Sequence, residues 1–133
     1  MQIVADKSWY KEIEKWLETA DCQRKFRGFS KPGKNRQLSI YHALEDIKAY
    51  TTDTDYIFIH DAARPLLSKR QISNCLDAAV LCDGVMPVLP MKDTVYYSRD
   101  GQTVGKLLER STIYAGQAPE VFVLGRYYEA NRR

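Results

Sequence analysis

Residues 56–59, Tyr-Ile-Phe-Ile, form a run of four apolar side chains that stops abruptly at His60-Asp61-Ala62-Ala63-Arg64-Pro65. A continuous apolar run of this kind predicts a strand covered on both faces, as in parallel sheets flanked by helices. The polar residues that end such a strand emerge at the rim of the sheet, where ligands of open α/β sheets bind. Asp61 is thereby placed at a C-terminal strand edge, Ala62 and Ala63 leave space above it, and Arg64 opens a loop fixed by Pro65. A carboxylate and a guanidinium three residues apart can hold a metal and an anionic ligand in one small volume. Taken alone, D-x-x-R more often closes a strand end as an ordinary ion pair, so the rest of the chain has to decide.

Around this strand the sequence alternates between helical and extended patterns. Met1 to Ala5 reads as a short strand. Ser8 is a candidate cap for a helix whose stripe, Trp9, Ile13, Trp16 and Leu17, is expected in the core. Lys25 to Phe29 reads as a second short strand, followed by the loop Ser30 to Arg36 and, from Gln37, a helix carrying Ile40, Ala43, Leu44 and Ile47. A glycine loop between strand and helix forms an anion-accepting corner, because unpaired N–H groups collect at a helix start. Ser68-Lys69-Arg70-Gln71 has the form of a capping box, ahead of Ile72, Cys75, Leu76 and Ala79 on the inward face of a third helix packed on the sheet. Pro87 makes the apolar run Val85 to Pro90 an edge or irregular strand. Asp100-Gly101 between Thr94–Tyr97 and Gln102–Val104 predicts a β-hairpin, which in so small a domain needs a partner to cover it. Past Gly116-Gln117-Ala118-Pro119 a last helix begins at Leu124. The fold expected is α/β, a Rossmann-like, mostly parallel sheet with flanking helices and a projecting hairpin arm at about residues 93–110.

With 133 residues, the chain has the length of one domain, residues 1–133. No window approaches the ~18 apolar residues of a membrane span, and Met1 to Lys7 lacks the apolar stretch of a signal peptide. A cytoplasmic protein is expected. Three cysteines, Cys22, Cys75 and Cys82, without C-x-x-C spacing indicate neither a disulfide framework nor a zinc site, and Cys75 and Cys82 read as buried thiols. A net charge of +3 suits an anionic substrate and is too small for a nucleic-acid footprint.

Four clusters carry candidate chemistry, each beside a plainer structural reading. Gly33-Lys34-Asn35-Arg36 with Ser39 offers donors to a phosphate or a base edge, or is a surface turn with two cations. Asp61 and Arg64 are the second cluster. Lys92-Asp93-Thr94 offers a cation and a hydroxyl to a phosphate, or begins the hairpin. Glu109-Arg110 with Tyr114 supplies another guanidinium, or a weak surface ion pair. His60 is a candidate general base, although a histidine at a strand end is more often hydrogen-bonded structure. Neither a nucleophilic triad nor a histidine metal cluster is present in the sequence.

In order and spacing, these clusters resemble one family. His60-Asp61-Ala62-Ala63-Arg64-Pro65 is similar to the most distinctive motif of the cytidylyltransferases that act on 2-C-methyl-D-erythritol 4-phosphate or ribitol 5-phosphate. Arg36-Gln37-Leu38-Ser39-Ile40 resembles the family's R-Q-x-S-V, Lys92-Asp93-Thr94 its [RK]-D-T, and Gly116 to Phe122 its Q-T-P-Q-x-F segment. The resemblance implies transfer of CMP from CTP to a polyol phosphate with release of pyrophosphate and without a covalent enzyme intermediate. It implies that Gly33, Arg36 and Ser39 belong to the nucleotide site and that Asp61 faces Mg2+ and substrate hydroxyls. Arg64, Thr94 and Arg110 would hold the polyol phosphate. It also implies a homodimer exchanging hairpin arms, so that Thr94 and Arg110 serve the neighbouring subunit, and no nucleic-acid or membrane partner.

Several residues depart from the family pattern. Pro32-Gly33 replaces the usual Gly-Gly, Lys34 stands where a polar or acidic residue is frequent, Glu109 replaces Asp, and Ala118 replaces Thr. The 133 residues contain neither the glycine-rich Arg/Lys loop that wraps the CTP phosphates nor the family's late lysine-bearing strand. The expectation is therefore a truncated nucleotidyltransferase domain that does not transfer cytidylate by itself. The competing expectations are a non-catalytic binding or dimerisation module, and a nucleotidyltransferase for another sugar phosphate or base.

Overall fold

In the computed structural model, which describes residues 1–132, the elements in chain order are β1 (Gln2–Val4), α1 (Tyr10–Thr19), β2 (Gly28–Ser30), α2 (Arg36–Ile47), β3 (Tyr56–Ile59), α3 (Lys69–Ala79), β4 (Gly84–Val85), β5 (Val88–Pro90), β6 (Tyr96–Tyr97), β7 (Lys106–Leu107), β8 (Tyr114–Gly116), β9 (Glu120–Val123) and α4 (Leu124–Asn131). They group into two compact units, Met1–Asp55 with Val123–Arg133, and Tyr56–Phe122. The α/β character matches expectation. The parallel ladder β1–β2 is in the first unit, and the second unit holds antiparallel ladders β4–β9, β5–β8 and β6–β7, a larger antiparallel share than the sequence suggested.

In the first unit β1 and β2 pair in parallel with Ile3 opposite Phe29. The strand expected at Lys25–Phe29 starts three residues later, because Gln23–Lys25 forms a 3-10 turn and Gly28 takes φ +152°, open to glycine. Asp6, not Ser8, caps the entry to α1: its carboxylate accepts the Ser8 N–H at 3.0 Å and the Ser8 hydroxyl at 2.7 Å. A 3-10 turn over Lys7–Trp9 follows, so Trp9 precedes the α-helix proper. The expected tryptophan core is not formed. Trp9 and Trp16 are 56% and 53% exposed, and from the stripe only Leu17 is buried. Tyr10 supplies the aromatic contact instead, stacking on Phe29 at 3.8 Å between ring centroids.

Leu44 on α2 and Leu124 on α4 are buried. The first N–H groups of α4 are satisfied by main-chain carbonyls, Leu124 by Asp55 at 2.8 Å and Gly125 by Asp53 at 2.9 Å. Tyr128 of α4 stacks on Tyr41 of α2 at 5.7 Å, and Lys48 lies 4.2 Å from the Tyr128 ring centroid while pairing with Asp53 at 3.0 Å. Buried Ser30 donates to Asp46 at 2.6 Å and accepts from the Gln2 amide at 2.9 Å, and Gln2 accepts from Tyr50 at 3.1 Å. This chain of bonds ties β1, β2 and α2 while satisfying the one buried polar side chain they share.

In the second unit the central strand is β9, with β3 and β4 on either side. Strand β3, expected to be covered on both faces, is therefore at the edge of its sheet and is covered on one face only. Ile57 is buried, whereas Tyr56 and Phe58, which point the other way in a strand, are 41% and 39% exposed. The capping box is formed as expected, with the Ser68 hydroxyl accepting the Gln71 N–H and the Gln71 side chain accepting the Ser68 N–H. Cys75 and Ala79 of α3 pack with Val121 and Val85 into a small core, and burial pushes the Cys75 thiol up. Cys82, expected buried, is exposed at the end of this helix and donates to main-chain carbonyls of Ala78 and Gly84.

Pro87 divides the apolar run as its missing N–H requires, leaving β4 in one sheet and β5 in another. The hairpin is present but its register differs from expectation: Tyr96 pairs with Leu107 and Tyr97 with Lys106, leaving residues 98–105 as loop. Gln102–Val104 is not a strand because Asp100 captures it, accepting N–H bonds from Gln102 at 2.9 Å and Thr103 at 2.8 Å and hydroxyl bonds from Thr103 and Ser98. Gly101 turns at φ +72°. No helix among the described residues is long and apolar enough to cross a membrane.

Candidate functional site

In the second unit, the end of β3 carries the Asp61–Arg64 pair. The Arg64 N–H donates to the Asp61 carbonyl at 3.0 Å, closing a tight turn, and its guanidinium Nε lies 3.4 Å from the Asp61 carboxylate. The His60 ring Nε2 meets the Arg64 carbonyl at 2.8 Å, the structural reading of that histidine rather than the general-base one. Arg64 Nη1 donates to the Gln117 amide oxygen at 3.1 Å. Beside these groups is an open cleft of about 320 Å3, lined by His60, Ala63, Arg64, Pro65, Leu66, Leu67, Gln71, Gln117 and Ala118. Gln117 lies in the Gly116–Phe122 segment, where nothing in the sequence marks its side chain, and only tertiary contact reveals that it reaches back 53 positions to Arg64.

At the base of the hairpin Arg110 meets the Lys92–Thr94 segment, its Nη1 donating to the Lys92 carbonyl at 2.9 Å. Main-chain bonds from Met91 to Ile113 and from Leu108 to Val95 hold the two segments side by side. Thr94 is exposed two residues beyond Lys92. Glu109 turns inward on its own segment, accepting from Ser111, and so fixes the short turn that begins at Arg110.

In the first unit, Gly33, Arg36 and Ser39 lie on the loop and first turn of α2. Asn35 caps the helix, its side chain accepting the Leu38 N–H at 2.8 Å. The Ser39 hydroxyl accepts the Gly33 N–H at 2.9 Å and donates to the Asn35 carbonyl at 2.9 Å, so it braces the loop. Gly33 is required by space: a Cβ there would lie 2.5 Å from Leu38 Cβ. His42 adds a second brace through the Lys31 carbonyl at 2.9 Å.

The magnesium ion implied by the sequence motifs has one candidate ligand. No group of three His, Cys, Asp or Glu side chains among the described residues is arranged to hold a metal. Asp61 is 40% exposed, and a single accessible carboxylate matches the way Mg2+ is held when substrate phosphates complete its shell. The donor set fits as one ligand of a shared site.

Comparison with known proteins agrees with the motifs. The family model described as IspD, 2-C-methyl-D-erythritol 4-phosphate cytidylyltransferase, matches residues 25–133. The protein of that name from Bacillus thuringiensis (strain Al Hakam) is 36% identical over 104 residues, 78% of this chain and 44% of its own length. The chloroplastic protein of Oryza sativa subsp. japonica is 30% identical over 119 residues, 90% of this chain and 38% of its own. The chain thus spans about half the length of the curated relatives it matches. The crystal structure of the cytidylyltransferase from Thermus thermophilus superposes with a TM-score of 0.65 at 30% identity, covering 79% of this chain and 49% of that one. A 4-diphosphocytidyl-2C-methyl-D-erythritol synthase from Anaerococcus prevotii superposes with a TM-score of 0.81 over 98% of this chain and 55% of that one, a likeness of fold at 24% identity. On the strength of a match that runs from residue 25 to the last residue, this chain belongs to the 2-C-methyl-D-erythritol 4-phosphate cytidylyltransferase family.

Proposed function

We propose that the protein carrying this chain is a cytidylyltransferase that joins CMP from CTP to 2-C-methyl-D-erythritol 4-phosphate. The observation that carries the reading is the held Arg64, with its Nε at Asp61 and its Nη1 at Gln117, beside an open cleft in a chain of this family. In the proposed reaction an oxygen of the polyol phosphate attacks the α-phosphorus of CTP in line. A new P–O bond forms, the bond to the β-phosphate bridge oxygen breaks, and pyrophosphate leaves with that electron pair. No group on the protein is covalently modified, so its residues position and neutralise. Arg64, Thr94 and Arg110 are assigned to the polyol phosphate, and Gly33, Arg36 and Ser39 to the cytidine nucleotide. Asp61 is assigned to the substrate hydroxyls and as the one protein carboxylate on Mg2+, which when bound would supply charge neutralisation on the phosphates. A homodimer formed through the arm is part of the proposal, supported by Tyr96, Tyr97 and Leu107, each at least half exposed. So is a cytoplasmic setting, consistent with three unpaired cysteines.

The test is a coupled pyrophosphate assay with the protein expressed from its gene, supplying CTP, ATP, GTP or UTP with methylerythritol 4-phosphate or ribitol 5-phosphate. CTP with the methylerythritol phosphate should be turned over fastest. Preference for ribitol 5-phosphate would move the assignment to the other polyol, and binding of neither polyol phosphate would overturn it. Residues 1–133 alone are expected not to turn over, since they contain no glycine-rich Arg/Lys loop for the triphosphate.

A further inference from the structure

We propose that Gln117 is a positioning residue that fixes which edge of the Arg64 guanidinium is presented to an anionic substrate. The inference rests on the polyol-phosphate role given to Arg64 above. Gln117 sits where the chain leaves β8, its main-chain N–H donating to the Pro87 carbonyl at 2.8 Å. Its amide nitrogen donates to the Gly116 carbonyl at 3.0 Å and the Ala115 carbonyl at 3.3 Å, while its amide oxygen accepts from Arg64 Nη1 at 3.1 Å. The amide has only this orientation available. Turned over, it would set its oxygen against two carbonyl oxygens and its NH2 against a guanidinium, acceptor facing acceptor and donor facing donor.

The main-chain carbonyls of β8 thus decide that an acceptor faces Arg64. Asp61 takes Nε, at 3.4 Å. One guanidinium N–H is donated to Gln117 and Nε lies within ion-pair range of Asp61, so the group is held from two sides, which restrains rotation about the last side-chain bonds and leaves Nη2 outside both contacts for a phosphate. A neutral acceptor suits this task. It orients the cation without cancelling its charge, as a second carboxylate would.

The prediction separates orientation from charge. Gln117→Leu keeps the volume and removes the amide, and Gln117→Glu keeps an acceptor but adds a negative charge facing Arg64. By side-chain NMR, the Arg64 Nε–Hε signal and the Nη rotation rate should show a restrained guanidinium in the wild type and a freely rotating one in Gln117→Leu. Affinity for methylerythritol 4-phosphate, measured by calorimetry, should fall roughly three- to tenfold in Gln117→Leu, the loss of one modest hydrogen bond, and further in Gln117→Glu. Affinity for the cytidine nucleotide should stay unchanged. An Arg64 already rotating freely in the wild type, or equally restrained in Gln117→Leu, overturns the inference. So does an unchanged polyol-phosphate affinity in Gln117→Leu when Arg64→Ala loses binding. If Arg64→Ala binds the polyol phosphate as well as the wild type does, the role assigned to Arg64 fails, and with it the purpose given to Gln117.

Discussion

Replacing Gly33 by alanine probes how the α2 entry loop is built. The added methyl would lie 2.5 Å from Leu38 Cβ and 2.7 Å from both its carbonyl carbon and its Cγ. Rotation of Leu38 can relieve the Cγ contact only, because Cβ and the carbonyl carbon are fixed in the first turn of α2. Carbon atoms rest at about 3.5–4.0 Å, so the loop must retreat by roughly 1 Å. That displacement lengthens the Gly33 N–H to Ser39 Oγ bond beyond its working range from the present 2.9 Å. The expected cost is about 1–3 kcal/mol from overpacking. Ser39→Ala alone should cost about 1 kcal/mol, because its hydroxyl both accepts from Gly33 and donates to Asn35. In the double variant the bond is already broken, so the second change should add little, and the two costs should fall short of additivity by about 0.5–1 kcal/mol. Urea denaturation of the four proteins measures this directly through the midpoint at constant m-value. Costs that add to within about 0.3 kcal/mol, or a Gly33→Ala protein as stable as the wild type, would refute the bracing argument.

Other consequences are equally direct. Gly125→Ala would place a Cβ 2.8 Å from Asp53 Cβ and 3.1 Å from the carbonyl that accepts the Gly125 N–H, so α4 amides should exchange faster with solvent, at a cost of about 1–3 kcal/mol; unchanged exchange rates would contradict it. The backbone N–H groups of Thr103 and Gln102, then the Thr103 and Ser98 hydroxyls, hold the Asp100 carboxyl well below the usual carboxylate range. Its contribution to the hairpin loop is therefore complete above the ordinary aspartate range and is lost as pH falls through the depressed value; a carboxyl NMR titration centred on the ordinary 3.8 would count against the network. Hydrogen bonding to Tyr128, then burial and Glu45, push the Tyr41 phenol up to about 12, so the α2–α4 contact should be intact below pH 10 and weaken between pH 10 and 12. Ultraviolet titration of wild type against Tyr41→Phe checks it, and loss of a phenol titrating near 10 in the variant would contradict the assignment. Ser68→Ala should cost about 1 kcal/mol by removing the acceptor for the Gln71 N–H, read from hydrogen exchange in the first turn of α3.

What could be read in advance depended on whether the signal was local. The α3 start was legible because Ser68 and Gln71 satisfy each other's backbone within three residues. The Asp61–Arg64 turn was legible for the same reason, as a short-range pair. The hairpin was visible but its register was not, because the Asp100 side chain competes for N–H groups that a period-two reading gives to a ladder. Strand β9 escaped notice because Glu-Val-Phe-Val runs without a break into α4, so no window isolates it, although Val121 is the fully buried centre of its sheet. The tryptophan stripe misled because helical spacing marks a face without saying whether anything covers it. Gln117 needed the fold, since nothing adjacent in sequence says which way its amide turns.

The interruption at Pro87 constrains how this region can change in length. Between the pairs Val85–Val121 and Val88–Gly116, one strand advances three residues and the other five, so the second strand carries two surplus residues at the break. Gln117–Pro119 belong to neither strand, and this three-residue connection has to let β8 pair with β5 and β9 with β4 at these two registers. Deleting one of the three would force one register to slip, and a slip of one residue in β9 turns Val121 out of the core and Phe122 in. Changes in length should therefore be poorly tolerated here. A different side chain at 117 leaves the sheet as it is, but the spacing that aims that position at Arg64 is locked to the spacing that buries Val121.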